Sequence, residues 1–414
     1  MPRCLGCVRR MTKYDIVVVG AGPAGSTAAK FLAEKGVNVL LIDKSRFPRD
    51  KPCGGVLSVR TLKRFQYISE DSIATCSYGG SIHSSSLKHH VQIGKDEPIA
   101  AFVVRKNFDY SLVRLAMESG ATFRDGVSAT DIQILKDNAT IRLNGGESVE
   151  SQLVIGADGV WSIIAKQTGL GSHYPRIGRC LFQESPLAGD VLDEYFTEKK
   201  NFQMYLKFMG VDGFGWVIPK KDCVNIGIGE IQPSSSHQRN KRPLKEVYHQ
   251  FILFLKERKL IPPTITIGTI QGGVLPLKPL DKTFADRVVL CGDAAGQMNP
   301  LTGDGIHYAM SSGKYAADVC AMALEAGITN ASFLSKYQAL WKNDFGGEIR
   351  LCGRVLKMVL KGDRDEKYIR LISRDPQIVD LLLTMAKNQG RIQKYQWRIA
   401  KRFVSLYVKD LLGF

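Results

Sequence analysis

YDIVVVGAGPAGSTAAKFLAEKGVNVLLID, residues 14–43, decides how this chain folds. Residues 14–19 form a short β-branched run suited to a buried parallel strand. A glycine-rich turn follows, then a helical pattern through Ala28, Ala29, Phe31, Leu32 and Ala33. Gly36 reads as the cap that closes this helix. Residues 37–43 read as a second strand, completing a β-α-β unit of about thirty residues, the size a parallel crossover requires.

Gly20, Gly22 and Gly25 stand in GxGxxG spacing between the strand and the helix. The first glycine permits the tight turn, and the second lets backbone approach a pyrophosphate. The third allows close helix–strand packing, while the helix N-terminus faces the phosphate charge. Asp43 ends the second strand, placed to accept hydrogen bonds from the ribose hydroxyls of an adenosine half. Together these features point to a bound dinucleotide.

Composition bounds the rest. A chain of 414 residues implies two or three lobes, and its 44% hydrophobic and 23% charged content is ordinary for a globular protein. No run approaches the ~18 apolar residues of a membrane-spanning helix. The opening MPRCLGCVRR lacks the apolar core of a secretory signal. Its Cys4 and Cys7 form a lone CxxC with no second pair, so no metal is expected. Nine cysteines without framework spacing fit a reducing cytoplasm. The net charge of +17 favours acidic partners. Nucleic acid is not expected among them, because no nucleic-acid-binding signature is present.

Farther along, CGDAAGQMNPLTGDGI (residues 291–306) repeats the logic of a strand, a glycine-rich loop and a helix start. Asp293 there can hold ribityl hydroxyls, and amides near Gly303, Gly305 and Ile306 can meet the carbonyl edge of an isoalloxazine. With GADGVWS at 156–162 and the Arg105–Asp109 helix start, this layout resembles the p-hydroxybenzoate-hydroxylase-like FAD-dependent oxidoreductases. The resemblance implies FAD held by Gly20, Gly22, Ala24, Gly25, Asp43, Lys44, Cys53, Gly54, Arg105, Val127, Asp158, Asp293, Gly303, Gly305 and Ile306. It also implies an α/β (α+β) fold, a Rossmann-like FAD-binding domain interleaved with an antiparallel-sheet substrate domain. An extension at 1–11 would precede FAD-binding parts at 12–64, 101–172 and 278–330. Substrate parts would occupy 65–100 and 173–277, with a helical region at 331–414.

DKPCGG (50–55) and GFGWVIPKKDCVNIGIG (213–229) resemble the geranylgeranyl reductase family more narrowly. That family carries a Cys-Gly-Gly loop beside the flavin and a Tyr-x-Trp-x-Phe-Pro segment lining a lipid pocket. Phe214 and Ile218 replace its tyrosine and phenylalanine, and Trp216 and Pro219 match. The resemblance implies saturation of C=C bonds in geranylgeranyl chains, by flavin hydride transfer and protonation. The substrate would be a geranylgeranyl lipid or diphosphate, with Cys53 delivering the proton or shaping the pocket. Trp216 and Cys53 also admit a plain core reading, and His307 reads as a helix residue without catalytic duty. Two rivals remain: a monooxygenase or halogenase of an aromatic compound, and a prenyl-binding escort protein without flavin chemistry.

No second GxGxxG is visible for NAD(P)H, so a protein donor such as reduced ferredoxin is favoured, with NAD(P)H as the alternative. Residues 387–409 hold seven Lys/Arg and no acidic residue. Arg391, Lys394, Arg398 and Lys401 flank an apolar stripe of Ile392, Tyr395, Ile399, Phe403 and Leu406. Two readings stand: a helix packed on its own domain, or an interfacial helix on anionic lipid. A cytoplasmic protein, with peripheral contact on the inner membrane face in the second case, is the expected setting.

Overall fold

The run at 14–19 lies within the strand Thr12–Val19, whose Ile16, Val17 and Val18 are fully buried. At about 1.5–3 kcal/mol per buried large aliphatic side chain, this strand anchors the core. The computed structural model describes residues 12–171, 177–231, 242–266, 268–387 and 393–411. Cys4, Cys7, Arg391 and Ile392 lie outside them.

Thr12–Val19 sits inside an eight-stranded sheet, parallel to Ser148–Gly156 on one side and to Val39–Asp43 on the other. Val288–Leu290 and Thr122–Asp125 extend it outward, both parallel to their neighbours. Its strands therefore come from three separated stretches of chain. The helices Pro23–Ala33 and Ile306–Ala326 pack together on one face, joined by Arg105–Glu118. A Cβ at Gly313 would lie 2.2 Å from the Ala24 carbonyl oxygen, so only glycine allows the first two helices this close.

The first helix ends at Ala33, not at Gly36; Gly36 takes positive φ (74°) in the turn beyond, and the next strand starts at Val39. The loop at 291–306 predicts a helix from about residue 303, but the helix begins at Ile306, because Gly303 (φ 73°) holds the preceding residues in a loop.

A seven-stranded sheet runs Gln271–Pro276, Ile177–Pro186, Cys223–Ile231, Gly213–Pro219, Phe202–Leu206, Gly79–His83, His90–Gly94. It is antiparallel except where Phe202–Leu206 meets Gly79–His83. Leu244–Glu257 seals its outer face with Val247, Tyr248, Phe251 and Leu255. The opposite face presents Cys180, Phe182, Trp216 and Ile218 to Ala100 and Phe102, members of a three-stranded connecting sheet. Helices Ala331–Trp341, Gly347–Val359, Arg364–Ser373, Pro376–Lys387 and Gln393–Leu411 complete the chain. Among the described residues, no helix is long and apolar enough to cross a membrane.

Candidate active site

The first glycine turn is built for close approach. Gly20 has φ 104°, and a Cβ there would lie 2.3 Å from the Ala157 carbonyl oxygen. A Cβ on Gly25 would lie 1.8 Å from the Gly20 carbonyl oxygen. Gly22 differs, since the one atom near its missing Cβ is Arg49 Nη2 at 3.7 Å. Thus the middle glycine opens onto space flanked by a guanidinium, at the N-terminus of an eleven-residue helix. Arg49 Nη1 lies 3.0 Å from Asp109 Oδ2, an ion pair without hydrogen-bond alignment. A helix N-terminus, a glycine window and a half-buried cation fit a pyrophosphate.

Asp43 is buried, and both its oxygens already hold amides. Oδ2 accepts from Ala21 N–H and Oδ1 from Ser45 N–H, each at 2.8 Å. These bonds fix the carboxylate at the turn and leave each oxygen a further lone pair for a ribose. Val127 N–H donates to the Asp43 carbonyl at 2.8 Å, and Lys44 is exposed alongside. Ala24 packs at the helix contact, 2.9 Å from where a Gly292 Cβ would stand. Asp158 is turned to its own helix: Oδ1 accepts the Ser162 hydroxyl at 2.6 Å and Oδ2 the Ile163 N–H at 2.8 Å. Burial pushes its carboxyl above the ordinary range against the pull of those bonds.

At the other end, two loops approach each other. Asp293 Oδ1 lies 3.8 Å from where a Gly305 Cβ would stand. Ile306 is buried against Leu57 and Phe108, and Cys53 packs on the same cluster. Gly55 N–H points at Cys53 Sγ, 3.3 Å away. Arg105 is buried, with Nε and Nη2 on the two oxygens of Asp109 at 2.7 and 2.8 Å. Burial would lower its pKa, but Asp109 and the nearby Cys53 side chain raise it above the ordinary value. Asp109 therefore orients two guanidiniums, one toward the glycine turn and one toward the thiol.

The apolar wall reaches both loops. Phe214 Cζ lies 3.8 Å from the missing Cβ of Gly303, while Ile218 Cδ1 and Trp216 Nε1 lie 2.9 and 3.7 Å from that of Gly54. Pro219 is buried at the end of the same strand, paired with Val224. Phe214, Trp216 and Ile218 alternate along one strand and so share its face. The structure thus brings this face to the Cys-Gly-Gly loop and the second glycine-rich loop.

Behind the second loop lies a polar network that sequence reading missed. Arg60 donates to Glu348 at 2.8 Å and to the Tyr308 hydroxyl at 2.5 Å, and Tyr308 donates to Glu348 at 2.6 Å. Burial alone would lower the Arg60 pKa, but Tyr308, Glu348 and Asp304 raise it above the ordinary value. His307 is buried, its Nδ1 3.2 Å from Thr61 Oγ1. Burial, then Arg60 and Arg64, hold its pKa well below the usual histidine range, so the ring is neutral at pH 7. Arg60, Tyr308 and Glu348 are separated by 248 and 40 residues, and no local motif joins them.

A family model described as FAD binding domain matches residues 13–340, so the chain is a member of that flavoprotein class and an FAD-dependent oxidoreductase. Digeranylgeranylglycerophospholipid reductase 1 of Methanococcoides burtonii is 32% identical over 352 residues, 81% of each chain. A namesake from Methanopyrus kandleri is 29% identical over 93% of this chain and its own full length. Within the class, the chain belongs to the digeranylgeranylglycerophospholipid reductase family. A crystal structure of a geranylgeranyl bacteriochlorophyll reductase-like protein from Thermoplasma acidophilum superposes with TM-score 0.79 at 25% identity, covering 98% of this chain and 100% of that one. A flavin-dependent brominase matches at TM-score 0.71 and 18% identity over 94% of this chain and 99% of its own, a likeness of fold alone.

Proposed function

We propose that this protein saturates C=C bonds of geranylgeranyl chains in membrane-lipid precursors, with FAD bound along the path from Gly22 to Gly305. One observation carries the reading: the apolar face of Phe214, Trp216 and Ile218 abuts Gly54 and Gly303 at once. A prenyl chain on that face would lie beside the loops assigned to the flavin. The names of the related reductases supply the substrate class.

Bound FAD supplies a hydride equivalent to one alkene carbon. The protein's part is to exclude water and to place a proton at the other carbon. Cys53 is the donor: its S–H bond breaks as the new C–H bond forms. The thiolate left behind is met by Gly55 N–H and the Arg105 guanidinium, and regains its proton from water. Arg49, Asp43 and Asp293 would hold the pyrophosphate, ribose and ribityl groups.

Electrons come from a protein donor such as ferredoxin, drawn by a net charge of +17; rapid NADPH oxidation with prenyl substrate would reverse that choice. Peripheral membrane contact through the helix Gln393–Leu411 would bring lipid to the site. The decisive experiment is anaerobic incubation of the dithionite-reduced protein with geranylgeranyl lipids, followed by mass analysis. Successive gains of two hydrogens are expected, and unchanged lipid would reject the reading.

A further inference from the structure

On the pocket-side face of the seven-stranded sheet, a buried charge lies beside Trp216 and Ile218. Lys220 has no exposed surface, and its Nζ is ion-paired with the Glu184 carboxylate. Glu184 Oε1 also accepts from Asn225 Nδ2 at 3.3 Å, and that nitrogen donates to the Cys53 carbonyl at 3.2 Å. Asn225 Oδ1 in turn accepts the Trp216 Nε1–H at 2.7 Å. Lys220 Nζ itself lies 3.1 Å from where a Gly55 Cβ would stand. One chain of contacts therefore runs from a buried ammonium to both the indole and the Cys53 loop.

Burying a lysine is costly, and well-packed apolar side chains would give equal or better stability. A satisfied polar chain contributes fixed geometry instead. That geometry matters here because glycines surround the indole. Trp216 Nε1 faces Gly54, and its Cζ2 would lie 2.1 Å from a Cβ at Gly227. Glycines leave room for the ring but cannot grip it, whereas the Asn225 amide fixes the indole and the loop together.

We propose that Lys220, Glu184 and Asn225 are positioning residues that lock the Trp216 indole and the loop at 52–55 into one unit, holding the pocket wall at a set distance from the Cys53 thiol. This rests on the reading of that face as the prenyl pocket.

The test uses the FAD-loaded full chain. Lys220→Met should lower Tm, speed iodoacetamide alkylation of Cys53 (followed on its own peptide by mass) and cut kcat by about ten- to a hundredfold. In Lys220→Met/Glu184→Leu the unpaired carboxylate is gone, so Tm should recover. Alkylation should stay fast and kcat low, with KM within about twofold of wild type. Recovery of kcat and of Cys53 protection along with Tm would reduce the pair to a structural role and overturn the proposal, as would wild-type behaviour of the single variant. Glu184→Gln keeps shape and an acceptor and covers the case of a variant that fails to fold. It should expose Cys53 with FAD content retained, and unchanged alkylation would count against the clamp. If the wild-type protein reduces no prenyl chain, the substrate reading fails while alkylation still tests the clamp.

Discussion

Gly22 and Gly25 belong to one motif but answer to opposite constraints. A methyl on Gly25 would overlap the Gly20 carbonyl oxygen, so Gly25→Ala should cost about 1–3 kcal/mol or more and lower Tm with or without FAD. Gly22 has φ −72°, which alanine accepts, and free space to 3.7 Å. Gly22→Ala should therefore cost about 1 kcal/mol or less in the apoprotein, chiefly as a poorer helix cap. Its methyl would stand where a phosphate must approach, so FAD affinity should fall at least tenfold, about 1.4 kcal/mol. Thermal melts with FAD fluorescence titrations separate the two, and equal FAD affinity in Gly22→Ala and wild type would refute the assignment. The glycine spacing was legible because the turn needs those residues within six positions. Arg49 was not, because only the fold returns it to Gly22, and the Lys220–Glu184 pair spans 36 residues. At the thiol, Cys53→Ala should keep the yellow holoprotein and lose alkene reduction; full activity would remove Cys53 from the mechanism.

The C-terminal helix Gln393–Leu411 shows where element-level reading stops. Periodicity identified the stripe Tyr395, Ile399, Phe403 and Leu406, and the structure leaves all four half-buried. Phe403 meets Tyr368 edge-on at 5.2 Å, and Arg402 holds Asp375 at 2.8 Å. That stripe therefore packs toward the protein. A second apolar ridge faces out: Trp397 is 76% exposed, Val404 60% and Val408 46%. Spacings of seven and four place them on one side of the helix, with exposed Arg398 and Lys401 beside them. Sequence alone could not say which of two apolar faces turns inward, because tertiary partners such as Asp375 and Tyr368 decide it. An outward aromatic–aliphatic ridge among cations suits an anionic lipid surface. Trp397→Glu/Val404→Glu should weaken sedimentation with phosphatidylglycerol vesicles at least tenfold and leave Tm within a few degrees, since both side chains are exposed. Equal sedimentation of variant and wild type would exclude this face as the contact.

Over the whole molecule, the C-terminal helices grip both the helix after the Cys53 loop and the edge of the seven-stranded sheet. Glu348 holds Arg60, in the helix Val59–Arg64 that follows the Cys53 loop. Glu366 instead grips the tip between the strands Gly79–His83 and His90–Gly94, accepting Ser84 Oγ at 2.9 Å, Ser86 Oγ at 2.7 Å and Ser86 N–H at 3.0 Å. His89 Nε2 lies 3.9 Å away, and the neighbouring Asp365 takes the Ser85 N–H at 2.9 Å and an ion pair with Lys207 at 3.8 Å. Partial burial pulls the Glu366 carboxyl upward, but bonds from Ser86 and Ser84 and the charge of His89 outweigh it, leaving the pKa below its ordinary 4.5. A carboxyl depressed in the fold binds fewer protons there than in the unfolded chain. Its contribution is present above the ordinary carboxyl range and is lost as pH falls through the lowered value. Acidification below about pH 4.5 should therefore release the serine tip from the helix Arg364–Ser373 before the parallel sheet opens, since the latter rests on uncharged aliphatic burial. Hydrogen exchange would show protection falling first at Ser85 and Ser86, whose N–H groups point at Asp365 and Glu366, while Ile16–Val18 amides stay protected. Glu366→Gln should bring the same local loss at pH 7, because an amide is a weaker acceptor than a carboxylate and cannot pair with His89. Simultaneous loss of protection at both places in the wild-type protein would show that the carboxylate does not act as a separate latch.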